Sequence, residues 1–73
     1  MYSEETSVTN CSRCGKTNHI VIAYAGDHRA NENESAECYS CGAIVAREEC
    51  FAIFAAETAA RAMQLLRRMQ NRA

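Results

Sequence analysis

The chain has 73 residues, five of them cysteine and none proline or tryptophan, and a formal charge of −1. That is one small domain, too short to bury a large core, so a metal, a disulfide or a partner is expected to help hold it together. The near-zero charge excludes a global basic field for nucleic acid, the odd cysteine count argues against a fully paired disulfide framework, and no run approaches the roughly 20 apolar residues of a membrane span.

The opening "MYSEETSVTN" is polar and acidic, with no secretory pattern, and residues 1–9 read as a flexible tail or a short edge strand at Thr6–Thr9. A reducing cytoplasm is the expected setting, where cysteine clusters are more often metal sites than disulfides. Next comes "CSRCG" at 11–15, then "HIVIAYA" at 19–25, whose β-branched and aromatic residues favour a strand. The polar stretch "GDHRANENE" at 26–34 reads as a turn region. "SAECYS" leads into a second "CYSCG" ending at Gly42, and "AIVAR" at 43–47 reads as another strand.

From Glu48 to residue 72 the sequence turns to alanine, leucine, methionine, glutamate and arginine, all good helix formers. Acids at Glu48 and Glu49 and bases at Arg67, Arg68 and Arg72 suit the helix dipole, although a clean Ser/Thr/Asp N-cap is missing at that start. The expected fold is therefore a small metal-bound α+β domain. A ribbon at 10–47, a β-hairpin or three-strand sheet, precedes one long amphipathic helix at 48–72.

Cys11, Cys14, Cys38 and Cys41 form C-x2-C-x23-C-x2-C. Zinc prefers four tetrahedral soft ligands, and two C-x2-C knuckles supply them from two chain segments. One zinc ion per chain is the expected cofactor. Iron, which four thiolates also suit, is the second choice. Glycine after each pair permits the positive φ of a tight turn. Cys50 lies in no knuckle and reads as a buried helix thiol. His19 reads as a surface strand residue and His28 as a solvated loop residue. With four thiolates the metal keeps no open position, so an enzyme is not expected, nor is a small-molecule substrate.

These residues resemble a zinc ribbon of the rubredoxin-like type over about residues 8–47, on the strength of "CSRCG", the hairpin between, and "CYSCG". Ribbons of this kind serve in transcription factors, ribosomal proteins, polymerase subunits and protein adaptors. The resemblance implies a fold and a metal rather than one function. An iron electron carrier is the remote member of that range, since the aromatic cluster of true rubredoxins is missing. The hairpin tip holds Asp27, Glu32 and Glu34, but not the adjacent Asp-Glu pair of transcript-cleavage factors, whose spacing is similar. Small phage regulators that bind messenger RNA are a likeness of size and knuckles.

Two functions follow as expectations. The first is a non-catalytic protein-interaction or regulatory adaptor. On a continuous helix Phe51, Ala55, Thr58, Ala62, Leu65 and Met69 share a face, with Phe54 and Leu66 flanking. A helix of that length outruns a short ribbon, so Leu65, Leu66 and Met69 are expected to overhang and to recruit a protein partner or a second copy, with folding back over the ribbon of the same chain as the alternative. The second is nucleic-acid binding through Arg13, Lys16, Arg61, Arg67 and Arg68, helped by Arg47 and Arg72, although residues 1–37 carry six acids against three bases.

Overall fold

The computed structural model describes residues 1–71, so Arg72 lies outside the described residues. Five strands and one helix follow in order: β1 (Ser3–Asn10), β2 (Thr17–Tyr24), β3 (Glu32–Glu37), β4 (Ile44–Cys50), β5 (Ala52–Ala56) and α1 (Ala59–Gln70), with a single 3-10 turn at His28–Ala30. β1, β2 and β5 form one antiparallel sheet with β2 in the middle, and β3 and β4 form an antiparallel hairpin.

β2 shows why the central sheet holds. Side chains alternate across a strand, and here both faces are apolar. Val21 and Ala23 lie opposite Phe54 and Ala52, while Ile20 and Ile22 lie opposite Ala55 and Ile53. The first set joins Ala56, Ala62 and Leu66 in a core against α1. The second joins Ala36 and Cys50 in a core against the β3–β4 hairpin. The molecule is thus three layers: helix, three-stranded sheet, hairpin. β1 covers the far edge of β2 with mostly exposed polar residues.

The helix departs from expectation. It begins at Ala59, and residues 48–56 are the end of β4 and all of β5. The physical reason is burial on two faces. Ala52 and Ala56 turn to the helix while Ile53 turns to the hairpin, and all three are buried. A short apolar run of this kind suits a strand between two layers as well as a helix, and alanine does not decide between them. The N-cap missing near Glu48 is present further on: Thr58 Oγ1 accepts a hydrogen bond from the Arg61 amide at 3.1 Å, a contact typically worth about 1 kcal/mol.

The shorter helix also removes the expected overhang. Twelve residues span about 18 Å, which the sheet can back. Leu66 is fully buried, and Leu65, Met69 and Met63 are partly buried against the same core. Glu4 of β1 ties the C-terminal end of α1 down, accepting two hydrogen bonds from the Arg67 guanidinium at 2.6 and 2.9 Å. Among the described residues no helix is long and apolar enough to cross a membrane.

Two smaller differences concern the ends of strands. Of the two forms expected for the N-terminal segment it takes the edge strand, longer than Thr6–Thr9 at eight residues, and β3 starts inside the stretch expected to be turn. Within that turn Asp27 caps its own 3-10 residues, accepting from the Arg29 amide at 3.0 Å and pairing with its side chain.

Candidate metal centre

Each knuckle is a tight turn closed by backbone hydrogen bonds. In the first, the Gly15 amide donates to Cys11 O at 2.8 Å and the Cys11 amide to Lys16 O at 2.9 Å. In the second, Gly42 donates to Cys38 O at 3.0 Å and Cys38 to Ala43 O at 2.7 Å. The same local sequence gives the same turn twice, and the glycines carry it: φ is +80° at Gly15 and +81° at Gly42, a region other residues enter only with strain.

The turns bring the four thiols together. Cys11 Sγ stands 3.6 Å from Cys41 Sγ, and Cys14 Sγ stands 3.6 Å from Cys38 Sγ. All four sulfurs lie within 4.8 Å of one another. Thiolates 2.3 Å from a tetrahedral zinc stand about 3.8 Å apart, so this donor set fits a four-coordinate metal ion. Each pair of close sulfurs joins one knuckle to the other, so a bound ion would cross-link segments 24 to 30 residues apart. Cys11 and Cys38 are buried and Cys14 is exposed, giving the cluster an inner and an outer side.

The surroundings act unequally on the thiols. On Cys38 the hydrogen bond from Asn18 is the largest influence and, with the Cys41 and Ser40 amides, brings the thiol down to about 6 despite desolvation. The Cys14 and Arg13 backbone amides draw the Cys11 thiol below its ordinary value. At Cys41 the Ala43 amide lowers the thiol, but burial and the three neighbouring thiols outweigh it and raise it to about 11. N–H groups aimed at sulfur favour the thiolate, which is the form that binds metal.

Asn18 is the residue beside the cluster that the sequence pattern does not single out. Its side chain is fully buried beside the cluster. The available clue was weak: a polar residue three positions after the Gly15 turn, at the head of an otherwise apolar strand. Nothing in the one-dimensional pattern separates it from a solvent-facing strand end.

The other expected residues scatter. Cys50 is outside the cluster, fully buried at the end of β4 rather than in a helix, among Ile20, Ala36 and Ile53; burial pushes its thiol up. His19 is partly buried on β2, and His28 is exposed. Phe51 is 44% exposed at the bend between β4 and β5. Phe54, Leu65 and Met69 do come together and, with Arg68, line a cleft of about 250 Å³. Leu66 is in the core instead. Arg13 and Lys16 are exposed on the first knuckle. Arg61 hydrogen-bonds Gln64 at 2.7 Å, and Arg67 is committed to Glu4.

The chain matches no known protein family, no curated protein and no solved structure.

Proposed function

We propose that this protein is a non-catalytic zinc-binding module, ribbon-like at its metal end, that acts through contact with another protein. The observation carrying the proposal is the convergence of four cysteine sulfurs within 4.8 Å. Four thiolates fill a tetrahedral shell, so the ion has a structural role and offers no site to a substrate. Zinc is the metal of choice because such closed thiolate sites are its usual structural form. Iron would leave the coloured protein that zinc does not.

The contact surface is the cleft of Phe54, Leu65, Arg68 and Met69 beside β5. β5 pairs with β2 along one edge and, among the described residues, with no strand along the other. Exposed sheet edges are usually guarded by charge, as β1 is by Glu4 and Glu5, whereas β5 reads Ala-Ile-Phe-Ala-Ala. A second copy laid antiparallel on β5 extends the sheet and covers the cleft, and two-fold dimers are the commonest homo-oligomers. Sedimentation equilibrium near micromolar concentration is expected to give twice the 8.1 kDa chain mass. Leu65→Glu with Met69→Glu is expected to give the single chain mass with zinc retained. A wild-type chain that stays monomeric at high concentration overturns self-association and leaves a foreign partner.

One observation favours a second reading, nucleic-acid binding. Arg13 and Lys16 are exposed on one knuckle, and Tyr39, 41% exposed, stands on the other. Two cations and a stacking surface therefore sit at the metal end. Titration of labelled RNA and DNA separates the readings. Weak binding that fades as salt rises keeps the interaction module first, whereas tight, sequence-selective binding at physiological salt promotes the regulator.

A further inference from the structure

The carboxamide of Asn18 joins the two knuckles. It lies on β2 directly after the first turn, and it is the buried polar side chain of the core, with no accessible surface. Its Nδ2 donates to Lys16 O, the carbonyl that also closes the first knuckle, at 3.2 Å. The same nitrogen donates to Cys38 Sγ at 3.3 Å. Its Oδ1 accepts from the Tyr39 amide inside the second knuckle at 3.1 Å. Cys38 Sγ also accepts from the Ser40 amide at 3.4 Å. One short neutral group thus uses two N–H donors and one acceptor on three partners, two of them in the second knuckle and one in the first.

Few side chains can do this. A carboxamide alone combines two donors and an acceptor without charge. Aspartate would set a carboxylate oxygen against the thiolate in place of an N–H. Alanine or leucine would take the partner from the Tyr39 amide and leave the Lys16 carbonyl with the Cys11 amide alone, at a part-buried site where an unmet donor is costly. Hydrogen bonds to a ligand sulfur spread its charge and tune the metal it holds.

We propose that Asn18 is a positioning residue of the metal centre, setting the second knuckle on the first and holding Cys38 Sγ in place. The inference rests on the metal-binding reading above. It predicts that the centre depends on a residue that never touches the ion. It also predicts that the four ligands are inequivalent, with the buried, twice hydrogen-bonded Cys38 opposite the exposed Cys14.

The test is made on the full chain loaded with Co²⁺, whose thiolate-to-metal absorption reports the charge on sulfur. Asn18→Ala is expected to weaken Co²⁺ about 10–100-fold in competition with a chelator and to move the thiolate-to-cobalt band to lower energy. Leu66→Ala, which damages the opposite core, is expected to leave that band in place. If the band of Asn18→Ala is unmoved and its affinity loss is no greater than that of Leu66→Ala, Asn18 acts through general stability and the proposal fails. A second measurement needs no variant. In the ¹¹³Cd-loaded wild type, an Asn18 side-chain amide proton is expected to show scalar coupling to cadmium through Cys38 sulfur, and its absence contradicts the proposal. A wild-type chain that takes up neither Co²⁺ nor Cd²⁺ overturns the metal-binding reading itself, an outcome distinct from both.

Discussion

At one end of the molecule four thiols meet between two glycine turns, with a single buried asparagine beside them. At the other, Leu66 and Ala62 of the helix lie on Val21, Ala23, Ala52 and Ala56 of the sheet. The metal end buries little apolar surface of its own: Tyr39 and Ile44, its large apolar residues, are 41% and 48% exposed. Backbone hydrogen bonds and the convergence of four thiols specify its shape. The helix end is specified by close packing of mostly small residues, and alanine supplies four of its six buried members. A chain of 73 residues has too little interior to rely on one device, and it divides the task between the two.

The largest way to break this comparison is to remove the metal. Structural zinc contributes on the order of 10–16 kcal/mol in small domains, comparable to or above the roughly 5–15 kcal/mol total stability of a domain. Chelation is expected to unfold the two knuckles, residues 10–18 and 37–44, together. Amide NMR spectra with and without chelator read this directly. Native chemical shifts persisting at Lys16, Asn18 and Tyr39 without metal would show that the packing alone suffices.

A smaller break is made at the other end. Leu66→Ala is expected to cost about 2–5 kcal/mol, the range for an enclosed leucine, measured by denaturant melts of the zinc-loaded protein. Metal stoichiometry under native conditions is expected to stay unchanged. Loss of metal in that variant would mean the two ends fold as one unit rather than as two supports.

The turns themselves give a third, intermediate effect. A Cβ added at Gly42 meets no atom within 4 Å, so Gly42→Ala is strained by its positive φ alone. A cost of about 1–2 kcal/mol is expected, with Gly42→Asn recovering part of it because asparagine tolerates that region better. Equal melting points for both variants would argue against the left-handed turn.

The smallest effect is electrostatic. Arg67 holds the Glu4 carboxyl below its usual value. A carboxyl depressed in the folded state adds stability above its unfolded pKa, and that stability disappears as pH falls through the folded value. Glu4→Gln is therefore expected to lower the melting temperature slightly at neutral pH and not at all in strong acid. A variant with the same deficit at both pH values would rule out the ion pair as the cause.

The two ends also differed in how far they could be read in advance. Cys11, Cys14, Cys38 and Cys41 were legible because metal ligation imposes a spacing, and spacing is what a sequence displays. The glycine after each pair announced the turn for the same reason. The helix end was harder. Residues 52–56 are apolar throughout, and they are compatible with a helix stripe or with a strand covered on both faces. Only the presence of α1 on one side and the hairpin on the other decides it. Thr58 marks the true helix start, yet it counts as a cap only once the preceding residues are known to be extended. Asn18 was illegible because its partners, Lys16 O, Cys38 Sγ and Tyr39 N, come together only in three dimensions.

Metal content across two cysteine variants tests the central claim most directly. Elemental analysis of the purified wild type is expected to give one zinc per chain, Cys50→Ser the same, and Cys38→Ser little or none. Retention of a full equivalent by Cys38→Ser, or its loss from Cys50→Ser, would contradict the assignment of the centre to Cys11, Cys14, Cys38 and Cys41.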